Sequence, residues 1–157
     1  MIRIRAAVAA DAAEAIEVVR SSIRELCIAD HDNDPYTLEH WLANKTWSNF
    51  TTWIQHPENF CVVGELRERI AGVGLLHVSG EIRLLYVAPG AQRLGLGGAL
   101  CTALEECGRS WKLPAVHLCS TAAAQAFYEA HGFRAVGAQR HVHGRLTCVP
   151  YRKPING

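Results

Sequence analysis

Val87-Ala88-Pro89-Gly90-Ala91-Gln92-Arg93-Leu94-Gly95-Leu96-Gly97-Gly98-Ala99-Leu100 decides how this chain is read. An apolar run, Ile82 to Val87, leads into it, and a helical pattern reaching roughly to Arg109 opens out of it. A glycine-rich turn feeding a helix leaves several backbone N–H groups unpaired at the positive end of the helix dipole. That is a ready site for phosphate or pyrophosphate. The glycines matter because a side chain there would hold the phosphate away from the backbone.

Outward from this turn, the composition fits one globular domain over residues 1–157, with 49% hydrophobic and 20% charged residues. The 16 Lys and Arg are balanced by 15 Asp and Glu, which argues against a broad nucleic-acid footprint. Cys27, Cys61, Cys101, Cys107, Cys119 and Cys148 contain no Cys-x-x-Cys pair and sit in apolar segments, so they are expected as buried free thiols of a reducing cytosol. Arg3, Arg5 and Asp11 interrupt the N-terminus, and no apolar run approaches a membrane span. A cytoplasmic, soluble protein is expected.

Ile2 to Val8 alternates as a strand does, and Asp11 opens a helix whose Ile16, Val19, Ile23 and Leu26 share one face. Asp32-Asn33-Asp34-Pro35 is a turn that caps a further helix, and Tyr36 to Gln55 reads as one or two short helices rich in aromatics. Asp30-His31-Asp32 reads as solvated turn. Phe60 to Leu66 and Arg69 to Val78 form a hairpin, followed by a strand from Glu81 to Val87. Beyond the glycine-rich helix come a strand (Ala115 to Ser120), a helix (Thr121 to His131, stopped by Gly132) and two strands (Phe133 to His143, Leu146 to Tyr151). The strands at 81–87 and 115–120, separated by a helix, should run parallel through a right-handed crossover. The class is α+β, a mixed and mostly antiparallel twisted sheet flanked by helices.

This order resembles the GNAT superfamily of acyl-CoA-dependent N-acyltransferases. Gln92-Arg93-Leu94-Gly95-Leu96-Gly97 matches the family's loop pattern, and Ala124-Gln125-Ala126-Phe127-Tyr128-Glu129-Ala130-His131-Gly132-Phe133 matches its second element. The two together, in this order, are far more specific than a glycine pair alone. One departure stands out: Thr121, beside Ser120, occupies the place where the family often has an asparagine on the pantetheine arm.

The resemblance implies central strands that splay into a cleft for acetyl-CoA, the co-substrate, with no metal. Backbone N–H groups of Gln92, Arg93, Leu94, Gly95, Leu96, Gly97 and Gly98 would hold the pyrophosphate. A bulged strand near Leu85 and Tyr86 would polarise the carbonyl, with Tyr86 and Val87 pairing to pantetheine as an added strand would. Ser120, Thr121, Ala124 and Phe127 would line the arm. Tyr128 would act as general acid at the thioester sulfur. Glu81, eleven residues before Gln92, is the first choice of base, with His77 and His117 as substitutes.

His141 and His143 share a strand face, but no third ligand is near them in sequence, so no metal is expected. Trp41, Trp47 and Trp53 either line the acceptor pocket or fill a helical lid. The reaction implied is acetyl transfer to a primary amine of a small molecule or peptide, in a ternary complex. The alternative is a non-catalytic acyl-CoA-binding sensor or interaction module. Neither nucleic acid nor membrane is implied as a partner, and a homodimer stays open.

Overall fold

Alternation of side chains across a sheet covered on both faces makes the strands of the first half of the chain one four-stranded antiparallel sheet. The computed structural model describes residues 1–156. Strands β1 (Ile2–Ala6), β2 (Asn59–Leu66), β3 (Arg69–His77) and β4 (Ile82–Val87) pair in that order. Val62 and Val63 point to opposite faces and enter two different apolar clusters. Helices α1 (Ala12–Leu26) and α4 (Trp47–Gln55) cover one face, and α5 (Leu96–Ser110) covers the other. β3 is therefore buried from Ile70 to Leu76. Gly72 lets α5 come close: a Cβ there would stand 2.7 Å from the Leu100 side chain.

Between α1 and α4 lie the short helices α2 (Ile28–His31) and α3 (Pro35–Leu42). Asp34 caps α3 as expected, accepting from the Thr37 N–H at 3.0 Å with Pro35 in the first turn. Asp11 ends a 3-10 turn (Ala9–Asp11) rather than starting α1 directly. Its carboxylate takes two hydrogen bonds from Arg5, at 2.8 and 2.9 Å, and one from the Val8 N–H at 2.8 Å. The Arg5 bonds, then the Val8 bond, hold Asp11 below the usual carboxylate range against the opposing effect of burial.

The second half is a separate antiparallel sheet built around β8 (Leu146–Pro154). β5 (Ala115–Ser120) pairs on one side of it; β6 (Arg134–Ala135) and β7 (Arg140–His143) pair along the other. Helix α6 (Gln125–Ala130) follows a 3-10 turn (Ala122–Ala124), so the helix expected from Thr121 is shorter and starts tighter. The strand expected from Phe133 to His143 is broken into β6 and β7. Val116, Leu118, Phe133 and Tyr151 join the apolar cluster under α5, which ties the two sheets together.

Three readings need correction. The parallel pairing of β4 and β5 shrinks to one bridge, Glu81 with His117. The cause is a bulge at Arg83: Leu75 faces Leu84 and Leu76 faces Ile82, so Arg83 is the extra residue and β4 turns away from β5. The bulge in this strand thus lies two residues before Leu85. Asp30 and His31 are no solvated turn: His31 is fully buried, its Nε2 2.9 Å from the Ile23 carbonyl, and Asp30 is 6% exposed. Nor are all six cysteines free. Cys119 on β5 and Cys148 on β8 form a disulfide (Cα–Cα 5.3 Å), since the antiparallel register sets Cys119 opposite Pro150, diagonal to Cys148. Cys27, Cys61, Cys101 and Cys107 are free thiols. No described helix is long and apolar enough to cross a membrane.

Candidate active site

Past the Glu81–His117 bridge, β4 and β5 diverge and enclose a cleft of about 340 Å³. Leu85, Tyr86 and Val87 form one wall; Leu118, Cys119 and Ser120 form the other. Thr121, Ala124, Phe127 and Tyr128 line it from the α6 side, with Gln92 and Gly97 from the loop. The end of α1 adds Ser22, Leu26 and Cys27, none of them singled out as a site residue from the sequence. Ser22 and Leu26, four apart on one helix, were the available signal, but Leu26 reads equally as core.

The loop is shaped by residues in left-handed conformations, Gly90 and Gly95 at φ 85° and Arg93 at φ 64°. Gln92 Oε1 accepts from the Gly90 N–H at 3.0 Å and pins the turn. Gly95 is the N-cap of α5, with no side chain to satisfy the first turn's N–H groups. Leu96 is 1% exposed and anchors the helix in the core, so it offers a ligand only backbone; Leu94 is exposed. A Cβ on Gly97 would stand 2.9 Å from the Phe127 ring, and one on Gly98 2.9 Å from His131 Nε2. The open end of α5 therefore lies hard against α6.

Both Phe127 and Tyr128 line the cleft, and Tyr128 is the more buried of the two. Tyr128 is 7% exposed, with its ring edge on Phe133 at 5.2 Å, while Phe127 is half-buried and stacks on His131 at 4.2 Å. Burial, then nearby Tyr86, pushes the Tyr128 hydroxyl far above the ordinary phenol range. Burial, then Asp30, pushes the Cys27 thiol up to about 12. Asp30 accepts from the Ala122 and Ala123 N–H groups at 2.7 and 3.3 Å, fixing α2 to the turn that enters α6.

Glu81 stands outside the cleft lining and binds Arg83 Nε at 2.8 Å. His77 Nε2 lies 3.6 Å from Glu58, and His117 Nε2 3.4 Å from the Ser79 carbonyl. His141 Nε2 is 3.1 Å from the Gly144 carbonyl, and His143 lies beside His40 (ring centroids 5.9 Å). Trp53 joins a different cavity, next to Arg83. Such a cleft can take a long thin ligand with an anionic end at α5 and a reacting end near Tyr128. Its free thiol is held protonated and its other cysteine is in a disulfide, so neither is an activated nucleophile.

The acetyltransferase (GNAT) domain family matches residues 27–155. No curated protein sequence matches significantly. Among solved structures, the chain resembles a GCN5-related N-acetyltransferase from Rhodopseudomonas palustris at 20% identity and TM-score 0.86, covering 97% of this chain and 94% of that one. It resembles the PaiA N-acetyltransferase of Thermoplasma acidophilum, solved with coenzyme A, at 17% identity and TM-score 0.83, covering 98% and 99%. The yncA protein of Salmonella typhimurium, solved with acetyl-CoA, is similar at 18% identity and TM-score 0.76, covering 100% and 95%. At these identities the likeness is one of fold. The match over most of the chain carries the assignment: this protein belongs to the GNAT acetyltransferase family.

Proposed function

We propose that the protein transfers an acetyl group from acetyl-CoA to a primary amine by direct attack within a ternary complex. The observation that carries this reading is the cleft itself, open along β4, with the uncapped end of α5 at its mouth and Tyr128 in its wall. The pyrophosphate lies on the first-turn N–H groups from Arg93 to Gly98, and the pantetheine arm pairs with Leu85 to Val87, backed by Ser120, Thr121, Ala124 and Phe127. A β4 N–H binds the carbonyl oxygen as charge develops on it. The amine nitrogen bonds to the carbonyl carbon, the C–S bond breaks, and the amine proton passes to Glu81 through water. Tyr128 donates a hydrogen bond to the departing sulfur. A free thiol has pKa about 8.5 and a phenol about 10. Burial raises Tyr128 further, so it steadies the thiolate rather than surrendering its proton. The protonated Cys27 thiol supports direct attack over a cysteinyl intermediate.

Acetyl-CoA, but neither ATP nor NAD, is expected to raise the melting temperature, and an amine panel is expected to release free thiol from it. Stabilisation without thiol release on any amine would favour the sensor reading instead. An amine of pKa about 10.4 is mostly protonated at pH 7, and its free fraction drops tenfold per pH unit. Glu81→Gln should therefore slow transfer most at low pH, the deficit shrinking as pH approaches the amine's pKa. A deficit independent of pH would remove Glu81 from the base role.

A further inference from the structure

A second cavity, about 250 Å³, lies between the α3–α4 connection, α4, the starts of β2 and β4 and the end of β3. It is smaller than the roughly 300–1,000 Å³ of drug-sized sites. Arg83 lines both this cavity and the cleft, so the bulge residue is the wall they share. Its Nε is held by Glu81 at 2.8 Å, while a guanidinium carries further N–H donors on the other two nitrogens.

Lys45 is the second cation at this cavity. Its ammonium donates to Asn44 Oδ1 at 2.7 Å and to the Trp41 carbonyl at 3.4 Å, both neutral, and no carboxylate among the described residues pairs with it. Burial lowers its pKa to about 8, and its charged or titratable neighbours include Arg83 across the cavity, Arg20, which donates to the Lys45 carbonyl at 2.8 Å, and His143 on β7. Among the described residues, no acid lines the cavity. Asn59 gives an independent sign: Nδ2 donates to the Trp53 carbonyl at 3.2 Å, but Oδ1 is buried with no partner among the described residues. A buried acceptor without a donor is costly and uncommon.

Resting on the acetyl-transfer reading above, we propose that this cavity is the acceptor site and selects a small primary amine that carries an acid group. The acid group lies between Lys45 and Arg83 and supplies the missing counter-charge, and an N–H of the acceptor donates to Asn59 Oδ1. Arg83 then sets the amine at the boundary of the thioester cleft.

The test is titration calorimetry on the CoA-saturated protein with amino acids and 2-aminoethylphosphonate, each against its carboxamide or neutral amine counterpart. At least one acid-bearing amine is expected to bind about tenfold or more tighter than its neutral counterpart, and Lys45→Met and Arg83→Gln are each expected to erase about ten- to a hundredfold of that preference. Arg83 is half-exposed, so its variant should fold even if the lysine variant does not. The carboxylate and phosphonate arms show which acid is taken. Equal binding of neutral counterparts, no binding by any acid-bearing amine, or a preference that survives Arg83→Gln would overturn the assignment. Selective binding without thiol release from acetyl-CoA would keep the site and remove the transfer reading. Thiol release with neutral amines as fast as with acids would do the reverse.

Discussion

Tyr128→Phe should lower kcat by about a hundred- to a thousandfold, the range seen when one donor to a developing charge is removed. It should leave the affinity for acetyl-CoA nearly unchanged. The ring stays, and with it the edge contact on Phe133, so packing is conserved and only the hydroxyl is lost. Because burial keeps that hydroxyl protonated far beyond neutral pH, the deficit should hold constant from pH 6 to 9. Steady-state kinetics across that range, with a thermal shift to confirm cofactor binding, decide the matter. An undiminished kcat would make Tyr128 a packing residue.

Gly97→Asp should abolish the stabilisation given by acetyl-CoA. The parent at 100 times Kd gains about 2.7 kcal/mol, roughly 5–10 °C in Tm for a chain of this size. Two effects act together in the variant. The new Cβ lies 2.9 Å from the Phe127 ring, which must shift from its stack on His131 to make room. The new carboxylate sits at the end of α5, where it satisfies the N–H groups a phosphate would use and repels the phosphate as well. A carboxylate near a helix N-terminus stabilises the helix by about 0.3–1 kcal/mol, which partly offsets the crowding in the ligand-free protein. A full acetyl-CoA shift in this variant would mean that the phosphates lie elsewhere.

The parts of this site that a reader of the sequence finds are those written locally. The loop from Gln92 to Gly98 and the helix bearing Phe127 and Tyr128 are each a short run whose spacing carries its meaning. The parts that escape are made by partners far along the chain. Asp30 meets Ala122 across 92 residues, so beside His31 and Asp32 it looks like an exposed turn. The Cys119–Cys148 bond depends on β5 and β8 being neighbours, which local periodicity does not state. The Arg83 bulge exists only relative to the register of β3. Helix α2, four residues long, is too short to show a period. Which of Phe127 and Tyr128 is the more buried is not legible either, because the faces of a six-residue helix are set by what packs on it.

The single bridge between Glu81 and His117 has one further consequence, for the colloidal behaviour of the protein. Beyond it, β4 and β5 each present an edge of unsatisfied peptide groups, and open strand edges are the surfaces through which sheet proteins stick to one another. Here the two edges face each other across the cleft. Turning both edges inward within one molecule keeps them from foreign strands, and a ligand paired along β4, as proposed above, would complete the molecule's protection against its own kind.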